Sequence, residues 1–201
     1  MLTKLVLATN NQDKIREIRE LLTGLKIEIL TASDFPDFPE IEETGATLEE
    51  NAILKAEGIF RATGLPALAD DSGLEVDFLD GAPGIFSSRY AGPGCTYDDN
   101  NRKLLKELAG VPKEKRMARF RCVIAVCFGH EDTETAEGTV NGYIAEKKSE
   151  SPNGFGYDPV FYYPPLGKTF ADLSLNDKNQ VSHRGQALRQ ARKLLEQRLG
   201  K

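Results

Sequence analysis

Two adjacent carboxylates, Asp70 and Asp71, followed by Ser72 and Gly73, stand at the end of a short apolar run, Leu65–Ala69. That run reads as a buried strand. Beyond Gly73, apolar Leu74, Val76 and Phe78 alternate with Glu75 and Asp77, the pattern of a second strand with one wet face. Two carboxylates at the tip of a buried strand repel each other and are costly to desolvate, so they call for a nearby cation or open water. Asp-Asp-Ser-Gly is also ordinary turn chemistry, and on these residues alone both readings stand. A second acidic stretch, Asp34, Asp37, Glu40, Glu42 and Glu43, falls where no Lys or Arg occurs between Lys26 and Lys55. It is either a solvated loop or the source of a carboxylate that joins Asp70 or Asp71 in holding a cation. The chain has 2 histidines, His130 and His183, and 3 cysteines without CxxC spacing, which argues against a zinc site. Carboxylates must hold any metal, and that points to a hard ion such as Mg²⁺.

Two further stretches suit anions and flat rings. Thr9-Asn10-Asn11-Gln12-Asp13-Lys14 joins a buried strand to a helix whose N-cap is Asn10 or Asn11. Such a junction presents backbone N–H groups and a helix dipole to an anion, although an ordinary strand-to-helix turn has the same form. Lys14 in the first turn opposes the dipole, a mismatch that a bound phosphate would remove. Ser151–Pro159 is a glycine-rich loop in which Phe155, Tyr157 and Asp158 could stack on a base and accept from its ring N–H. It is not a dinucleotide fingerprint, because Pro159 falls where the third glycine is required. Gly167-Lys168-Thr169 imitates a P-loop ending, but Tyr162 occupies the place of its first glycine. Lys178 and Arg184 lie near the start of the last helix, where cations again oppose the dipole unless an anion sits between them, whereas a lone His183 there reads as a structural hydrogen-bonding residue.

The elements that must position these residues are legible in outline. Strands are expected at Leu5–Ala8, Ile27–Leu30, Ala118–Phe128, Thr133–Val140, Tyr143–Glu146 and Val160–Tyr163, with turns at Gly129 and Asn141-Gly142. Helices are expected to about Leu22, from the capping box Thr47-Leu48-Glu49-Glu50 to Gly64, from Tyr97 to Leu108, and after Ser182. Helices alternating with strands early and hairpins later imply an α/β fold with a mixed sheet. With 201 residues, 40% hydrophobic and 28% charged, the chain fits one domain, 1–201, with two lobes. No apolar run is long enough to span a membrane, and the opening residues make too short an apolar stretch for a signal peptide. A net charge of −5 gives no support for general nucleic-acid binding. The charge is uneven: residues 183–201 carry six basic side chains against Glu196, most simply the solvated face of a helix. Unpaired thiols fit a cytoplasmic setting.

Seven stretches together resemble the inosine triphosphate pyrophosphatase family, in that family's order and from about Lys4 to Leu199. They are Leu5–Lys14, Glu42–Gly45, Glu50–Ala52, Ala69–Leu74, Gly81–Ile85, Gly154–Pro159 and Ser182–Leu188. The resemblance implies hydrolysis of ITP, dITP and XTP to the monophosphate and pyrophosphate, on a two-lobed mixed-sheet fold with the site in the cleft between lobes. It implies that Thr9, Asn10, Asn11, Gln12, Asp13 and Lys14 hold the triphosphate. Glu42 and Asp71 would hold Mg²⁺, Asp71 would also accept the proton of the attacking water, and Ser72 would touch substrate. Phe155, Gly156, Tyr157, Asp158, Lys178, His183 and Arg184 would surround the base and its 6-oxo group. A homodimer is implied as well. Asp13 beside Lys14 departs from the family's usual first loop. A pyrophosphatase for other bases and a nucleotide sensor without turnover are the competing readings; the Phe155 loop with His183-Arg184 argues against the first, Asp71 with Glu42 against the second.

Overall fold

The structure, a computed structural model, describes residues 3–199. Lys201, counted above in the basic C-terminal stretch, lies outside them. Strands β1 (Thr3–Leu7), β2 (Ile27–Leu30), β3 (Ala67–Val76), β4 (Pro83–Gly84), β5 (Met117–Gly129), β6 (Asp132–Ile144), β7 (Phe161–Tyr163) and β8 (Lys168–Thr169) form one sheet. Its order is β2-β1-β3-β5-β6-β7-β8, with β4 against β3. Helices α1 (Gln12–Leu21), α2 (Leu48–Thr63), α3 (Tyr97–Glu107), α4 (Leu175–Val181) and α5 (His183–Leu199) complete the chain. β1 runs parallel to β2 and β3, while β3–β4, β6–β7 and β7–β8 are antiparallel. The expected mixed α/β sheet is therefore present. Its parallel part is the one wired through α1 and α2, as crossover connections require.

The chain divides into two compact units. One consists of the chain up to Asp71, Cys122–Gly138 and the chain from Arg184 onward. Its core joins Leu5 and Leu7 of β1, Leu68 of β3 and Cys122, Ile124 and Val126 of β5 to Ile15 and Ile18 of α1 and Leu188 and Leu195 of α5. The other consists of Ser72–Arg121 and Thr139–His183. Its core gathers Leu74, Val76, Leu104, Phe120, Ile144, Phe161 and Phe170. The Phe120 and Phe161 rings there are 4.6 Å apart. β3, β5 and β6 each contribute residues to both units.

Two expected turns are absent. Asp70-Asp71-Ser72-Gly73 lies inside β3, which runs unbroken from Ala67 to Val76. Leu74 and Val76 are fully buried, so the expected second strand is the continuation of the first, and Phe78 follows in a 3-10 turn, exposed. Asn141-Gly142 likewise lies inside an unbroken β6. Glycine is needed there for close approach, not for turning: a Cβ on Gly142 would meet the Tyr162 carbonyl and come within 2.7 Å of the Phe161 ring. The turn expected at Gly129 falls one residue on, at His130-Glu131. The polar run Asn176–Gln180 is helical, in α4, which is capped by the Ser174 hydroxyl accepting from the Asp177 N–H. Among the described residues no helix is long and apolar enough to cross a membrane.

Candidate active site

Consecutive side chains of a strand point to opposite faces, and this is how β3 carries two adjacent carboxylates without setting them against each other. Asp70 meets α1 and α5. Its Oδ1 lies 3.1 Å from Lys14 Nζ, and its Oδ2 accepts from Arg184 Nε and Nη2 at 3.1 and 3.0 Å. Arg184 Nη1 in turn donates to Glu17 Oε2 at 2.6 Å. Asp70, Arg184 and Glu17 are all buried, and with Lys14 they pair two negative charges with two positive ones. Burial alone would raise the Asp70 pKa, but Lys14, Arg184 and Lys55 outweigh it and hold the carboxyl below its ordinary value. Burial likewise works against the charge on Arg184, and Asp70 and Glu17 reverse that effect.

Asp71 meets α2. Its Oδ1 accepts from Lys55 Nζ at 2.8 Å, and the same ammonium donates to Glu43 Oε1 and to the Asp70 carbonyl, each at 2.8 Å. Burial pushes the Asp71 pKa up; Lys55 pulls it down and Glu43 adds repulsion, leaving it above the ordinary carboxylate value. Lys55 keeps its charge because these carboxylates outweigh its own burial. Asp71 is thus the more proton-hungry of the two carboxylates.

The acidic loop is pinned at both ends. A Cβ on Gly58, in the middle of α2, would come within 2.6 Å of Ile41 Cδ1, so the missing side chain seats the loop on the helix. At the other end Gly45 N donates to Asn51 Oδ1 at 2.8 Å and Ala46 N to Glu50 Oε2 at 2.7 Å. The chain between them directs Glu43 toward Lys55. Glu42 is exposed and makes no hydrogen bond or ion pair among the described residues.

The Thr9–Lys14 stretch leads from β1 into α1, and Asn11 caps the helix by accepting from Asp13 N at 3.0 Å and Lys14 N at 3.2 Å. Asn11 N donates to Thr9 Oγ1 at 3.2 Å, and Gln12 reaches back to the Asn10 carbonyl at 3.4 Å. Asp13, the departure from the family pattern, pairs with Arg16 at 3.0 Å rather than with Lys14. Thr9, Asn10, Lys14, Glu43 and Lys55 line one cavity of about 190 Å³, closed on its apolar side by Phe38, Ile41 and Ile59. Two ammonium groups and a capped helix start facing one small space suit a polyanion.

The second unit holds the other expected residues. Asp158 is buried and staples its own loop: Oδ2 accepts from Phe155 N at 2.8 Å and from Lys178 Nζ at 2.6 Å. Gly154, at φ +79, passes so close to that carboxylate that a Cβ would lie 2.8 Å from Oδ2. Lys178 Nζ also stands 4.4 Å from the centre of the Phe155 ring, a cation–π contact. Of the loop's two aromatics, Phe155 is half-buried, whereas Tyr157 is buried with its hydroxyl donating to the Ser87 carbonyl at 2.9 Å. Only Phe155 offers a face for stacking. His183 is buried and stacks on Phe120, ring centres 4.5 Å apart and planes 10° apart. His183 and Arg184, neighbours in sequence, contact different groups: an aromatic ring for the first and two carboxylates for the second. Ser72 follows Asp71 in β3, half-buried.

The model of the Ham1 family matches residues 5–194. This chain belongs to the Ham1 family. It is 52% identical over 187 residues to the dITP/XTP pyrophosphatase of Geobacter sulfurreducens, covering 93% of this chain and 94% of that protein. To the dITP/XTP pyrophosphatase of Thioalkalivibrio sulfidiphilus it is 54% identical, covering 92% and 95%. The solved structure of a HAM1 protein from Coxiella burnetii superposes with a TM-score of 0.88 at 45% identity, covering 97% and 99%. The Staphylococcus aureus Ham1 protein does so with 0.85 at 44%, covering 96% and 98%.

Within this Ham1 chain the oxygen donors fit a hard divalent ion. Among the described residues no three side chains of the His, Cys, Asp and Glu types converge as a metal site. Asp71 leaves its Oδ2 without a protein partner there, with Glu42 and Glu43 on the pinned loop. One or two carboxylates completed by phosphate oxygens and water is how Mg²⁺ is ordinarily held. Three residues of this charged cluster were not picked out as functional in the sequence: Lys55, Glu17 and, as distinct from Glu42, Glu43. The first two carried a signal. Lys55 falls on the apolar stripe of α2 with Ala52, Ala56 and Ile59, and Glu17 falls beside Ile18 on that of α1. A charge on a buried stripe requires a partner.

Proposed function

We propose that this protein hydrolyses dITP, ITP and XTP to the nucleoside monophosphate and pyrophosphate. The observation that carries the reading is Asp71, a carboxyl raised by burial and held by Lys55, whose ammonium also faces the polyanion cavity with Lys14. Thr9 to Lys14 and Lys55 bind the triphosphate. Asp71 takes a proton from water as the water oxygen bonds to the α-phosphorus and the bridging α–β oxygen leaves with pyrophosphate. Glu42, Glu43 and Asp71 would hold Mg²⁺, which supplies neutralisation of the phosphate charge when bound. Asp70 acts by fixing Lys14, and Arg184 acts by fixing Asp70. Ser72 touches substrate. Phe155 stacks on the purine, with Gly156, Tyr157 and Asp158 shaping its loop, and Lys178 and His183 supply donors to the 6-oxo group. Adenine carries an amino group there, and buried donors left unpaired can reject a wrong base by ~10⁴.

Residues 1–201 act as one catalytic domain in this reading, in a homodimer within the cytoplasm. No disulfide joins Cys95, Cys122 or Cys127 among the described residues, which supports the compartment, and exposed Phe78 and Phe86 supply apolar surface for a subunit contact. The test is pyrophosphate release from ITP and XTP against ATP, GTP and CTP with Mg²⁺ and with chelator. The reading predicts a strong preference for ITP and XTP that chelation abolishes. Equal rates on all five would discard the base selectivity, and no release from any would discard the enzyme.

A further inference from the structure

Helix α3 carries two side chains, one turn apart, that both reach the Phe155 loop. Asn101, 2% exposed, donates from Nδ2 to the Gly156 carbonyl at 2.9 Å. Its Oδ1 is buried and accepts nothing among the described residues. Tyr97 sets its ring centre 6.1 Å from that of Phe155, with the planes 45° apart, and is itself 43% exposed. Residues four apart share a helix face, so one surface of α3 braces both the backbone and the side chain of the loop. The loop needs bracing. Gly154 and Gly156 adopt φ +79 and +59, and two glycines in five residues leave a free loop many conformations. Asp158 fixes the Phe155 N–H and Lys178 covers the Phe155 ring, but neither holds the Gly156 peptide. Asn101 does.

We propose that Tyr97 and Asn101 are positioning residues that hold the Phe155 loop ready for a purine base, and so set affinity for the base without taking part in phosphate chemistry. The proposal rests on the reading of Phe155 as the stacking surface. A loop already ordered before binding avoids the entropy cost of ordering during it, and that gain appears in affinity for the base-bearing ligand alone.

Calorimetric binding of IMP and of inorganic pyrophosphate, both with Mg²⁺, tests this on the full chain. Tyr97→Ala and Asn101→Ala are expected to weaken IMP about fivefold to tenfold, the size of one aromatic pair or one neutral hydrogen bond. Pyrophosphate affinity should stay within about twofold, and Tyr97→Phe should restore IMP binding. Tyr97 is exposed, so its variants test the idea even where Asn101→Ala fails to fold. The proposal is overturned if Tyr97→Ala binds IMP as the parent does, or if IMP and pyrophosphate weaken together. Phe155→Ala separates the two levels. If it leaves IMP affinity intact, the stacking surface itself is wrong; if it weakens IMP while Tyr97→Ala does not, only the bracing role of α3 falls.

Discussion

Asp70 and Asp71 share a peptide bond and their carboxyls are shifted in opposite directions, because Arg184 pairs only with the first and Glu43 repels the second. Asp70 lies among Lys14, Arg184 and Lys55, which hold its folded pKa below the unfolded value. A depressed carboxyl contributes stability that is fully present above its unfolded pKa of about 3.9 and is lost as pH falls through the folded value. Urea unfolding followed from pH 7 into acid should therefore show stability falling below about pH 4, and Asp70→Asn should flatten that limb. An unchanged limb would mean that other carboxylates carry it. Glu17→Gln leaves the buried Arg184 with one charged partner and should cost about 3 kcal/mol, read from the denaturation midpoint. A loss below about 0.5 kcal/mol would place Glu17 among ordinary surface positions. Asp71 was legible from its motif, but its partner Lys55 was not singled out. A lysine in a helix reads as solvated until its place on the apolar stripe is noticed.

The elements were legible wherever periodicity alone decides, and were misread where glycine and aspartate imitate turns. β5 shows the first case: its outer face changes from Arg119 and Arg121 to buried Val123, Ala125 and Cys127, as its alternation implies. β3 and β6 show the second. Pairing with cations lets Asp70 and Asp71 remain inside a buried strand, and crowding by Phe161 and Tyr162 explains Gly142, neither of which local composition reveals. Gly142→Ala should accordingly destabilise by about 3 kcal/mol through overpacking, whereas a turn glycine with negative φ would tolerate alanine. Arg116, just before β5, makes a similar case. It is buried with no carboxylate in hydrogen-bond contact among the described residues, donating to the carbonyls of Leu108, Ile144 and Ala145 at 2.8, 2.7 and 2.8 Å. Arg116→Met removes donors from two buried carbonyls and one half-buried one and should lower the denaturation midpoint by an equivalent of about 3 kcal/mol or more. A midpoint within about 0.5 kcal/mol of the parent would contradict that role.

At the scale of the whole molecule, a net charge of −5 coexists with a cavity faced by two ammonium groups. In the proposed function, affinity for a polyphosphate comes from local placement on β1, α1 and α2 rather than from overall charge. The stretches that the proposed function assigns to the phosphate and to the base were visible in the chain because each is contiguous. The partners that tune them, Glu17, Glu43, Lys55 and Asn101, come from separate helices and loops and are brought into contact only by folding. The claim on which the account depends is that Asp71 accepts the proton from water. The direct measurement is single-turnover pyrophosphate release from ITP by Asp71→Asn, with ITP binding measured on the same protein. The account predicts loss of turnover by ~10³ or more, with ITP still bound. Turnover at the parent rate would contradict it and move the base elsewhere in the site.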